Sequence, residues 1–109
     1  AAHEDINVIT LLLGAEEAGL EVLHRSGEWL SVNPPAGSLV INCGDMLQRL
    51  TGGVLPSTTH RVAAPECGEA LPSRMSLPLF LHPRPEVVLS PRYSARQYLT
   101  QRLNELGVA

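Results

Sequence analysis

The apolar residues of this chain come in short blocks, the longest at residues 6–13, and Gly or Pro recurs between them. Blocks of that length suit strands, and turn chemistry between them suits antiparallel connections. Residues 6–13, rich in Ile, Val and Leu, read as a strand buried on both faces. Residues 20–25 alternate apolar and polar, Ser26-Gly27 supplies a turn, and residues 29–32 return as the second arm of a hairpin, with Trp29 as hairpin packing. Pro34, Pro35 and Gly37 mark a loop before a strand at residues 39–43. Residues 46–51 form a helical turn with Asp45 as its N-cap, ended by Gly52-Gly53. A strand bearing His60 follows, then one over residues 74–81, in which Pro78 predicts an edge or a bulge, and a short one at residues 86–89.

The period changes near residue 91. Ser94 and Gln97 stand at capping-box spacing, Leu99, Leu103 and Leu106 form a stripe, and Gly107 is a stop, so residues 91–107 read as one amphipathic helix packing through those leucines. Many short strands followed by one helix predict an all-β jelly roll with a C-terminal helix, divided as residues 1–90 for the core and 91–109 for the helix packed on it.

The formal charge of -3 and the absence of any Lys leave no basic footprint for nucleic acid. No apolar run approaches the ~20 residues a membrane helix needs. Cys43 and Cys67 have no metal-type spacing and read as thiols, so a cytoplasmic protein is expected; its oligomeric state is left open.

His3 and Asp5 head the first strand at i, i+2, which puts both side chains on one face. His60 is the third candidate, and two His with one carboxylate form the ligand set of a non-haem Fe(II) site with open positions. Neutral imidazoles and one carboxylate leave such a site with a net positive charge, which attracts an anionic chelating co-substrate. Arg74 and Ser76, again at i, i+2, combine a guanidinium fork with a hydroxyl and suit a carboxylate clamp. Asn7 is a further candidate for facing the site, and Arg96 and Tyr98 for touching a substrate; His24 and His82 are expected to stay outside it.

The order of these motifs, His3-x-Asp5, Gly44-Asp45 after residues 39–42, Ser57-x-x-His60-Arg61-Val62 and Arg74-x-Ser76, resembles the C-terminal catalytic domain of the 2-oxoglutarate and Fe(II)-dependent dioxygenases related to isopenicillin N synthase. The resemblance runs to about residue 90. It implies a double-stranded β-helix, here incomplete for want of an N-terminal part, with His3, Asp5 and His60 as iron ligands and Arg74 and Ser76 on the distal carboxylate of 2-oxoglutarate. It also implies a reaction with O2 that converts 2-oxoglutarate to succinate and CO2 while a small molecule is oxidised. An oxidase of the same fold that uses O2 without 2-oxoglutarate, and a noncatalytic jelly-roll module, remain the alternatives.

Overall fold

The computed structural model describes residues 1–13, 19–63 and 77–108. Its elements are β1 (Ile9–Leu13), β2 (Leu20–Leu23), β3 (Trp29–Ser31), β4 (Leu39–Cys43), α1 (Asp45–Leu50), β5 (His60–Val62), β6 (Leu77–Leu81), β7 (Val88–Ser90), β8 (Tyr93–Ser94) and α2 (Ala95–Glu105). Two three-stranded antiparallel sheets, ordered β4-β1-β6 and β3-β2-β5, and the β7-β8 pair give the mostly-β architecture with a C-terminal helix that belongs to a jelly roll. No helix among the described residues is long and apolar enough to cross a membrane.

In the first sheet Thr10 pairs with Asn42 and Phe80, whereas Leu11 pairs with Ile41 and Leu79. Directly paired residues share a face, so the Thr10 face carries the polar side chains and the Leu11 face is almost wholly aliphatic. The expectation of burial on both sides fails here. Thr10 is 4% exposed, while Leu79 and Ile41 are 58% and 56% exposed. The helices lie against β7 and β8 instead, with Met46, Leu89, Ala95 and Tyr98 as the buried apolar cluster. Pro78 does sit on an edge strand, β6, where a missing N–H is tolerated.

The first strand begins at Ile9, not at residue 6. The preceding carbonyls are drawn out of the ladder by the start of α1: Asp45 N–H donates to Asp5 O (2.8 Å), Met46 N–H to Asn7 O (3.0 Å) and Gly44 N–H to Val8 O (2.9 Å). Gly44, rather than the expected Asp45, is the N-cap. Asp45 does not cap because its carboxylate turns to α2, accepting from the Tyr98 hydroxyl (2.5 Å) and lying 3.3 Å from Arg102 Nε. The hairpin β2-β3 turns through Gly27 at φ 92°. Trp29 packs there under the Arg61 guanidinium, 3.8 Å from the ring centroid, and Arg61 is ion-paired with Glu21 at 2.8 Å.

Helix α2 starts at Ala95, not at residue 91, since Tyr93 and Ser94 first pair with β7; the Ser94/Gln97 capping box forms as expected. Its packing face is also displaced. Ala95 and Tyr98 are buried and Leu99 packs beside them, whereas Leu106 is 59% exposed. The Tyr98 hydroxyl, which attracts its helix to Asp45, accounts for this rotation better than the leucine stripe does. Tyr98 therefore has a structural role, tying α2 to Asp45.

Gly44 admits no side chain, because a Cβ would fall inside the carbonyl and amide oxygens of Asn7. Gly44→Ala is expected to lower the free energy of unfolding by about 3 kcal/mol, measured by urea denaturation. Burial, and then the bond to Asp45, push the Tyr98 hydroxyl above its ordinary pKa. A raised folded value means stability that is complete below about pH 10 and falls as pH rises beyond it. Tyr98→Phe is expected to lose about 1.5 kcal/mol at pH 7 and to show less alkaline destabilisation above about pH 10.

Candidate metal centre

The two sheets meet where the chain crosses from one to the other. His3 forms an antiparallel bridge with His60, each N–H donating to the other's carbonyl at 3.0 Å, so the first residues extend the sheet of β5. By Ile9 the chain belongs to the other sheet. Asp5 lies on the crossing, two residues from His3, and its carboxylate faces both imidazoles: Oδ1 is 3.5 Å from His3 Nε2 and 3.6 Å from His60 Nε2. Among the described residues these three are the one group of three His, Cys, Asp or Glu side chains whose ligand atoms converge, all within 4.8 Å of one another.

Their hydrogen bonds decide what the cluster can do. His3 Nδ1 lies 3.0 Å from the carbonyl of Ala1, and His60 Nδ1 lies 3.0 Å from the carbonyl of Thr58. A carbonyl only accepts, so each Nδ1 carries a proton, and each ring turns its Nε2 toward Asp5. On the other side Asp5 Oδ2 accepts from the Thr10 hydroxyl (2.6 Å) and from Asn42 Nδ2 (3.0 Å), leaving Oδ1 for the cluster. Burial alone would push the Asp5 carboxyl up; the bonds from Thr10 and Asn42, helped by His60 and His3, outweigh it and hold it below the ordinary carboxylate range. Three potential ligand atoms thus face one another, an arrangement that a cation can bridge. Adjacent octahedral ligands at about 2.1 Å from an ion sit about 3 Å apart, a small contraction from the 3.5 and 3.6 Å between Asp5 Oδ1 and the two imidazoles. The donor set fits a divalent ion, with two imidazoles and one carboxylate on one side and the exposed side of His3, 58% accessible, toward the opening.

Of the other candidates, Arg74 and Ser76 lie outside the described residues, as do Cys67 and the acidic residues near it. Asn7 does not face the cluster; it is 1% exposed and donates to Thr10 Oγ1 at 2.8 Å. His24 is exposed and bonded to Ser26, apart from the cluster, and His82 is exposed as well. The partners of Asp5 were not picked out from the sequence. Their signal was available: Thr10 and Asn42 are polar interruptions of aliphatic strands, and such residues need a reason to be buried.

Two His and one carboxylate brought together between two β-sheets match the ligand set used by non-haem metal sites. The model of the 2OG-Fe(II) oxygenase superfamily matches residues 1–83, and the chain belongs to that family. Feruloyl CoA ortho-hydroxylase 1 from Arabidopsis thaliana is 41% identical over 90 residues, which are 82% of this chain and 24% of the relative. A candidate oxygenase from Shewanella oneidensis matches with a TM-score of 0.90 and 57% identity, over 100% of this chain and 40% of that one. A full-length Neurospora crassa protein, solved in complex with alpha-KG and 5-formyluracil, matches with a TM-score of 0.85 and 28% identity, over 96% of this chain and 39% of that one. The chain thus spans about a quarter to two fifths of the length of these relatives.

Removing the acceptor shared by Thr10 and Asn42 leaves one buried and one half-buried donor unpaired. Asp5→Ala is expected to lower the stability of chelator-treated protein by about 1–3 kcal/mol, read from denaturant unfolding.

Proposed function

We propose that this protein oxidises a small molecule with Fe(II), O2 and 2-oxoglutarate, the last being converted to succinate and CO2. The observation that carries the proposal is the convergence of two imidazole nitrogens and one carboxylate oxygen, all within 4.8 Å of one another. His3 Nε2, His60 Nε2 and Asp5 Oδ1 are the iron ligands in this reading. Bound iron supplies the redox chemistry with O2. The protein's part is to hold three ligand atoms on one side and leave the other side for the co-substrate. Arg74 and Ser76 would grip the distal carboxylate of 2-oxoglutarate, the guanidinium with two parallel bonds and the hydroxyl with a third; the alpha-KG bound to the Neurospora crassa relative supports that co-substrate. The names of the feruloyl CoA hydroxylase and of the complex with 5-formyluracil support a small-molecule substrate. Membership of the isopenicillin N synthase-like branch and a cytoplasmic location, which suits thiols at Cys43 and Cys67, belong to the same proposal.

The test is anaerobic titration of the Fe(II)-loaded protein with 2-oxoglutarate, followed by assay of succinate in air. A metal-to-ligand charge-transfer band and Fe(II)-dependent succinate are expected. Arg74→Ala should raise the KM for 2-oxoglutarate about 10–100-fold, the loss of a charge-assisted contact. His60→Ala should abolish both signals. Substrate turnover that needs O2 but no 2-oxoglutarate would replace the proposal with the oxidase reading. Failure to bind iron would leave a noncatalytic module.

A further inference from the structure

The carboxylate of Asp5 is gripped at one oxygen only, and the direction of every bond in that grip is fixed. Asn7 Nδ2 donates to the carbonyl of Ile9 (3.2 Å) and to Thr10 Oγ1 (2.8 Å). Because the Ile9 carbonyl can only accept, the amide nitrogen stands on that side, and turning the amide over would lose the bond to Ile9. Thr10 therefore receives a proton from Asn7 and has its own single proton left for Asp5 Oδ2, at 2.6 Å. Asn42 Nδ2, from the neighbouring strand β4, adds a second donor to the same oxygen at 3.0 Å. Asn7 and Thr10 are 1% and 4% exposed, so water does not compete for these bonds. Asn7 is held in turn by α1, whose Met46 N–H takes its carbonyl, and by Gly44, whose lack of a side chain lets the amide oxygen lie against its Cα.

We infer that Asn7, Thr10 and Asn42 are positioning residues that make Asp5 a one-oxygen ligand. Binding a metal through both oxygens, or rotating the carboxylate, requires Oδ2 to leave both donors, and bonds to a charged acceptor are the strong ones. A carboxylate confined in this way occupies one coordination position and keeps the adjacent one open. The inference rests on the metal reading proposed above.

The experiment uses Mn(II), which gives a readout independent of turnover: its dissociation constant, and the number of coordinated waters from EPR line broadening in oxygen-17-enriched water. Thr10→Val keeps the shape of the side chain and removes the hydroxyl. The expected result is affinity about 10–100-fold weaker and one fewer coordinated water than wild type, as the carboxylate turns to use both oxygens. Thr10→Ser restores the hydroxyl and should return both values to within about threefold of wild type. Equal affinity and water count in Thr10→Val, or Thr10→Ser as impaired as Thr10→Val, would overturn the inference. Thermal melts of the metal-free variants check folding, and if Thr10→Val does not fold, Asn42→Ala carries the test with a loss of about tenfold in affinity. Wild-type protein that binds no Mn(II) or Fe(II) would bring down the metal reading itself; wild type that binds while Thr10→Val is unchanged removes the positioning role alone.

Discussion

A carboxylate placed between two sheets and nearly sealed from water is the constraint on which this structure depends. Asp5 is 8% exposed, and an ionised group at that depth is tolerable only when its oxygens are partnered. Thr10 and Asn42 supply those partners from one sheet, and His60 faces it from the other. The crossing that brings Asp5 there leaves three backbone carbonyls outside any strand. Helix α1 receives all three through its first N–H groups, which is why a short helix must start at that point and why the residue before it is Gly44. Asp45 then ties α1 to Tyr98, so the C-terminal helix supports the crossing at one remove.

What could be foreseen from the sequence divides along the range of the interactions. Strand positions, the hairpin at Gly27 and the Ser94/Gln97 capping box follow from periodicity and turn chemistry within a few residues. His3 and Asp5 share a face by their spacing, while His60 was a candidate only through the ligand set it would complete and through a resemblance, since nothing local brings a residue of β5 to the N-terminal segment. Several of the errors are cases where a distant partner overrode a local signal. Residues 6–8 have strand composition but serve α1; Asp45 has the chemistry of a cap but is claimed by a tyrosine 53 positions along; the leucine stripe of α2 lost to Tyr98. Thr10 and Asn42 were passed over because each looks like an ordinary strand residue until the carboxylate between them is placed.

The two faces of the β4-β1-β6 sheet have unequal fates when the chain unfolds. Much of its aliphatic side, Leu13, Ile41 and Leu79 among it, is wet in the folded state of the described residues. Surface that is hydrated before and after a transition adds little to the heat capacity of unfolding or to the dependence of unfolding on denaturant, both of which scale with newly exposed area. The leucines of this sheet are thus nearly silent in the thermodynamics of the isolated chain, whose cooperativity falls to the small cluster around Met46 and Tyr98 and to the buried polar bonds of Asp5. A melting curve broad for a chain of this length is the signature of that imbalance, and covering the aliphatic side would sharpen it without touching the metal centre.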